Sequence, residues 1–226
     1  MNKIIETFNY LAIVQVCGFS YKYSHIMGIV GYPGAGKTFA LIDIFNKNEN
    51  VFYVAATETM SAKTMFCNLL EQFNIKPDLN ENLNKIIERI ALQLNSDSKK
   101  KLIIIDECTY LKTKMLSFLK ELSDKTIGTT GYVLAGPFNY TEELEKWARQ
   151  NVKGVGEFLS RIWGFQELDL PKANEIDAFL KHNEIKDRKF AARLKKEIKS
   201  FRKLVQEIEK YKFEQENEDL TGVLVT

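Results

Sequence analysis

One octapeptide constrains this chain more than any other feature. It is Gly31-Tyr32-Pro33-Gly34-Ala35-Gly36-Lys37-Thr38, set between an apolar run at residues 25–30 and a helical pattern at 39–45. Its form, G-x-x-x-x-G-K-[ST] between strand and helix, is that of a phosphate-binding loop. Glycines allow successive backbone N–H groups to turn inward around phosphate oxygens, where a Cβ would intrude. The helix that follows adds the positive end of its dipole. The expected nucleotide contacts are therefore Gly31, Pro33, Gly34, Ala35, Gly36, Lys37, Thr38 and Phe39. Lys37 reaches the β- and γ-phosphates of ATP, and the Thr38 hydroxyl ligates Mg2+.

A phosphate loop of this kind requires a parallel α/β sheet around it, and the remaining pattern supplies one. Apolar runs at 51–56, 102–105, 132–135 and 165–170 read as further strands, the last closed by Pro171. Helical periodicity lies between them, at 61–73, 82–94, 115–122 and 142–149. Continuous apolar runs suit strands buried on both faces. Strand alternating with helix five times predicts a three-layer α/β fold with right-handed crossovers. After Pro171 only helical periodicity remains. The expected organisation is an N-terminal helical segment at 1–24 packing on the core, a P-loop core at 25–170, a helical lid at 171–213 and a tail at 214–226.

The run Leu102-Ile103-Ile104-Ile105 ends in Asp106-Glu107, which puts two carboxylates at the sheet edge where phosphates would lie. Asp106 is expected to hold Mg2+ through water, and Glu107 to orient and deprotonate an attacking water. A second acid beside the metal-binding one points to hydrolysis of ATP. The chain reads as an ATPase.

Composition excludes several other classes. At 226 residues with 45% hydrophobic and 27% charged content, the chain is long enough for one α/β domain and a small appendage. Cys17, Cys67 and Cys108 are widely spaced and form no CxxC pair, so reduced thiols are expected instead of a disulfide framework or zinc site. His25 and His182 are too far apart in sequence to suggest a metal site. No apolar stretch approaches the roughly 20 residues of a membrane span, and no export signal is evident. A cytoplasmic protein without a membrane partner is expected.

Further blocks extend the reading. In order they are GYPGAGKT, VFYVAATETMSAKTMFCNLL, KLIIIDECTYL, GYVLAGPFNYTEEL, EFLSRIWGFQELDL and SFRKL, running from about Met27 to Leu204. With a strand at 51–56 between the two motifs, they resemble the AAA+ ATPases, the P-loop branch in which an extra strand separates the phosphate-loop strand from the Asp-Glu strand. Within that branch they resemble the transposition-regulator group of the phage Mu B protein and related transposon ATPases, encoded by bacteria, phages or mobile elements. The resemblance implies a γ-phosphate sensor at Asn139 and an arginine finger at Arg161, with Arg149 as its competitor. It also implies a lid arginine at Arg202. An ATP-dependent homo-oligomer, a filament or ring on duplex DNA that serves a transposase, follows from the same resemblance.

Two regions are candidates for contacting that DNA. Net charge is only +2, but basic residues outnumber acidic ones between Lys181 and Lys203, Lys195 and Lys199 among them. A basic helical face can bind the phosphate backbone without reading sequence. The loop after the second strand offers Thr57, Thr59 and Lys63, which the resemblance places along the DNA channel. The same residues also admit a replicative-helicase loader, or a nucleotide-gated protein switch without DNA affinity.

Overall fold

The computed structural model describes residues 4–78 and 80–217. Glu218 and Asp219 of the expected acidic tail, and the apolar residues after them, lie outside the described residues. Helix α1 (Phe8–Tyr23) starts at Thr7, whose side chain accepts a bond from the Tyr10 amide, and ends at Ser24 in the left-handed region. There follow β1 (Ile26–Val30), α2 (Lys37–Lys47), β2 (Val51–Ala55), α3 (Ala62–Gln72), α4 (Leu83–Leu94) and β3 (Lys101–Asp106). The core continues with α5 (Thr113–Lys125), β4 (Thr130–Gly136), α6 (Tyr140–Arg149), α7 (Val155–Leu159) and β5 (Ile162–Glu167). Three helices close the chain: α8 (Ala173–His182), α9 (Arg188–Glu197) and α10 (Phe201–Asn217).

The five strands form one parallel sheet in the order β2-β3-β4-β1-β5. Helices cover both faces, giving the α/β P-loop architecture expected from the alternation. One face is covered by α3, α4, α5 and α7, where Phe66, Leu70, Ile87, Leu116 and Phe158 pack on Ile103, Ile105 and Leu134. On the other, Ile13 and Cys17 of α1 and Leu41 of α2 pack on Ile29, Ile104 and Val133. Gly131 lets α1 come unusually close. A Cβ there would lie 2.0 Å from the Ser20 carbonyl oxygen, and the Ser20 hydroxyl donates to the Tyr132 carbonyl at 2.9 Å.

Several expectations need correction. The strand that separates β1 from β3 is β4; β2, which lies between the two motifs in sequence, is the outer neighbour of β3. Strand β5 runs Ile162–Glu167, not 165–170. As an edge strand it is only partly buried, with Trp163 two-thirds exposed, so no apolar run marked its start. Its register slips between Ile26↔Ile162 and Gly28↔Phe165, a bulge of the sort found at sheet edges. Strand β3 begins one residue before the apolar run at 102–105, with buried Lys101, whose ammonium is held by Asp97. Short α7 was not anticipated.

The C-terminal helices have their own core of Ile176, Leu180, Phe190, Leu194, Leu204 and Ile208. Helix α10 runs on through Glu214 and Glu216, which sequence assigned to a tail. Buried Ile208 and the stacking of Tyr211 on Phe190 at 4.3 Å keep it attached to α9 beyond the predicted boundary.

Candidate functional site

The loop between β1 and α2 sits at the carboxyl ends of the strands, where ligands bind in open α/β sheets. Gly34 and Gly36 have φ of +80° and +93°, a backbone region costly for any other residue. Gly34 has a second constraint, since a Cβ would lie 2.9 Å from side-chain atoms of both Ser200 and Arg202. Lys37 folds back into the loop and donates to the carbonyls of Gly31 (2.6 Å) and Tyr32 (3.3 Å). Burial pushes its pKa down, while the carboxylates of Asp106 and Glu107 act against that shift. A lysine so placed has its charge aimed at the cradle.

Asp106 is the fixed point of the site. It is 1% exposed, at the end of β3, and both carboxylate oxygens are engaged. Oδ2 accepts from the Thr38 hydroxyl at 2.6 Å and the Tyr53 hydroxyl at 3.0 Å, and Oδ1 accepts from the Glu107 amide at 2.9 Å. Thr38 leaves its oxygen lone pairs available to a cation while its proton points at Asp106. Hydroxyl and carboxylate oxygens are the hard donors Mg2+ prefers, and Mg2+ is commonly bound by one or two carboxylates plus substrate phosphates. Among the described residues no cluster of three or more His, Cys, Asp or Glu could hold a metal alone. The donors present therefore fit a metal that arrives with a nucleotide.

Glu107 differs from its neighbour. It is exposed, and its φ of +54° is rare for a residue with a side chain, a strain of about 1–3 kcal/mol. That backbone turn separates two adjacent acids, one locked in the sheet and one free to meet solvent.

This combination of loop, strand-end acid and sheet order decides the family, and the comparison agrees: the AAA domain family matches residues 21–142, more than half of the sequence. The chain belongs to the AAA domain family. No curated protein matches it. Among solved structures it is similar to Orc1 of Aeropyrum pernix in complex with DNA, at TM-score 0.64 and 14% identity, covering 90% of this chain and 58% of that one. Cdc6p of Pyrobaculum aerophilum gives 0.58 and 14%, covering 80% and 51%. A Walker-type ATPase of Pyrococcus abyssi gives 0.63 and 11%, covering 98% and 74%. The AAA chain thus spans little more than half the length of the first two, and these likenesses establish the fold.

The other residues singled out in sequence are placed unevenly on this AAA scaffold. Arg202 comes to the loop: the amides of Phe201 and Arg202 both donate to the Gly34 carbonyl, at 2.9 and 3.4 Å. Its charge contributes to lowering the Lys37 pKa. Pro33 and Phe39 are exposed, Ala35 is buried, and the Ala35 carbonyl accepts from Asn9. Asn139 is exposed and donates to Glu143 at 2.9 Å, while its neighbour Phe138 stacks on Tyr32 at 5.2 Å. Arg161 pairs with Asp124 of its own chain at 3.0 Å, and Arg149 with Glu145 at 3.5 Å.

The basic lid is partly neutralised by acids that lie outside the basic stretch Lys181–Lys203. Lys195 pairs with Asp177 at 2.6 Å, and Glu207 takes both Arg193 and Lys203. Lys199 is exposed, as are Thr57 and Thr59, whereas Lys63 is half-buried at the start of α3.

Sequence reasoning missed two polar residues of the site. Asn9, 5% exposed, donates from its amide to the carbonyls of Ala35 (3.1 Å) and Asp169 (2.8 Å), and its oxygen accepts from the Asp169 amide. It ties α1, the phosphate loop and the segment that follows β5 together. Tyr53, on β2, meets Asp106. The only available signal was a hydroxyl-bearing aromatic inside the apolar strand next to the Asp-Glu strand.

Proposed function

We propose that this chain binds ATP with Mg2+ and hydrolyses it, and that ATP-bound copies assemble on duplex DNA to regulate a transposase. The observation that carries the reading is the meeting of Thr38 and Asp106 at 2.6 Å beside the glycine cradle. Lys37 and the backbone amides of residues 34–38 bind the phosphates. Thr38 and Asp106 hold Mg2+, which when bound neutralises charge on the β- and γ-phosphate oxygens. Glu107 orients the attacking water and takes its proton. Arg202 contacts phosphates from the lid, and Asn139 senses the γ-phosphate once freed from Glu143. Arg161, released from Asp124, completes the nucleotide site of a neighbouring copy. Thr57, Thr59, Lys63, Lys195 and Lys199 face DNA. The transposase partner rests on the sequence resemblance to the Mu B group.

Sedimentation and negative-stain imaging with and without duplex DNA test this, in ADP, in a slowly hydrolysed ATP analogue, and with Lys37→Ala. Filaments or rings that need both DNA and the analogue, and vanish in the variant, are the expected result. Absence of DNA association in every nucleotide state rejects the DNA reading and leaves a protein-directed switch. The likeness to Orc1 in complex with DNA favours a second reading, a replication-initiator or helicase-loader role. That role predicts tight binding to a replicative helicase and no stimulation of hydrolysis by a transposase.

A further inference from the structure

We infer that Tyr53 is a positioning residue for the magnesium site, acting through Asp106 and held in place by Gln72. The inference rests on the ATP·Mg2+ reading above and adds a residue that neither motif contains. Strand β2 is at the sheet edge, paired on one side only, to β3. On its open side the Gln72 side chain substitutes for a neighbouring strand at this one residue. Its Oε1 accepts from the Tyr53 amide at 2.9 Å and its Nε2 donates to the Tyr53 carbonyl at 2.8 Å. Both backbone polar groups of Tyr53 are thus held by one side chain, while its strand pairs with β3 on the other side and its ring is tilted against Phe45 at 5.9 Å.

The hydroxyl so placed donates to Asp106 Oδ2 at 3.0 Å. Facing an acceptor-only carboxylate oxygen, the phenol hydroxyl is the donor of this bond. With Thr38 on the same oxygen and the Glu107 amide on the other, three donors determine the carboxylate's rotation. What remains of its lone pairs sets where a metal-bound water can sit. Partners of a metal ligand that fix its orientation typically change metal affinity about 10- to 100-fold when removed. Phe at position 53 keeps the ring and deletes only this donor.

The test titrates MgCl2 into protein with a fluorescent ATP analogue, reading binding and not turnover, for wild type and Tyr53→Phe, with a parallel series in EDTA. The expected result is a half-saturating Mg2+ concentration raised about tenfold, with metal-free nucleotide affinity unchanged. Gln72→Leu keeps the hydroxyl but frees its strand, and it moves the Mg2+ dependence the same way by a smaller factor. This second variant decides the matter if Tyr53→Phe does not fold. Unaltered Mg2+ dependence in both variants overturns the inference, as does an equal loss with and without metal. If wild-type protein binds no nucleotide, or binds it without regard to Mg2+, the underlying ATP·Mg2+ reading fails, an outcome distinct from a normal wild type with a silent Tyr53→Phe.

Discussion

The two ends of the candidate catalytic set are built in opposite ways. Around Asp106, itself buried, the polar groups of Thr38 and Tyr53 bond to one carboxylate and are anchored on the start of α2 and on β2, with Lys37 bonded back to the loop. Around Arg161 and Asn139 they are exposed and satisfied by nearby acids, Asp124 and Glu143. A preorganised interior set is ready before any partner arrives. A surface set held by weak local pairs can exchange those pairs for contacts with another subunit, because an exposed ion pair contributes only about 0–1 kcal/mol. The first half of the site belongs to the single chain; of the second, Arg161 in the proposed assembly serves a neighbouring chain.

The largest effect expected of any substitution tests that division directly. Arg161→Ala is expected to lower the turnover of the assembled protein about a thousandfold, roughly 4 kcal/mol of transition-state stabilisation. Mixing it with Lys37→Ala subunits restores part of the activity, since each then supplies what the other lacks. Steady-state ATPase assays of the single and mixed samples decide it, and an undiminished Arg161→Ala would remove Arg161 from the site and turn the same test to Arg149.

Next in size is Glu107→Gln, expected to reduce kcat about a hundredfold or more with ATP affinity retained. Single-turnover assays beside equilibrium binding separate the two quantities. A fall in affinity instead would make Glu107 a binding residue like its neighbour Asp106.

Asn9→Ala probes the interior half through stability. It leaves the carbonyls of Ala35 and Asp169 and the Asp169 amide without their partner, at a cost of about 1–3 kcal/mol for a buried group. Chemical denaturation with a two-state fit measures it, and a change below about half a kcal/mol would mean that water replaces the amide.

Smallest is Asp124→Ala, which removes the same-chain partner of Arg161 and is expected to shift stability by less than about 1 kcal/mol. If the surface half is held as weakly as its exposure implies, turnover of the assembled protein is unchanged or raised. A loss of turnover matching that of Arg161→Ala would show that the pair works as a unit inside one chain.

Legibility in sequence follows the same division. Residues 31–38 and 106–107 could be read because each position serves a local requirement: positive φ at Gly34 and Gly36, a strand end at Asp106, a helix start at Lys37. The strands buried on both faces were legible as apolar runs. The start of edge strand β5 was not, because partial exposure removes the contrast between apolar and polar positions. The lid's positive charge was visible, but its neutralisation by Asp177 and Glu207 was not, since those acids lie outside the basic stretch and reach it only by helix packing.

The sequence by itself therefore determined the phosphate loop, the pair of acids, the parallel sheet and a separate helical appendage. Their signals come from backbone conformation and hydrophobic periodicity, both of which act over a few residues. Tertiary structure alone decided that β4 lies between the two motif strands, that Tyr53 and Asn9 join the site, and that Arg202 docks on Gly34 while Arg161 pairs with Asp124 and Asn139 with Glu143. Such contacts join residues far apart in the chain. A hydrogen bond forms wherever packing brings donor and acceptor within about 3 Å, and no local pattern of residues records that distance.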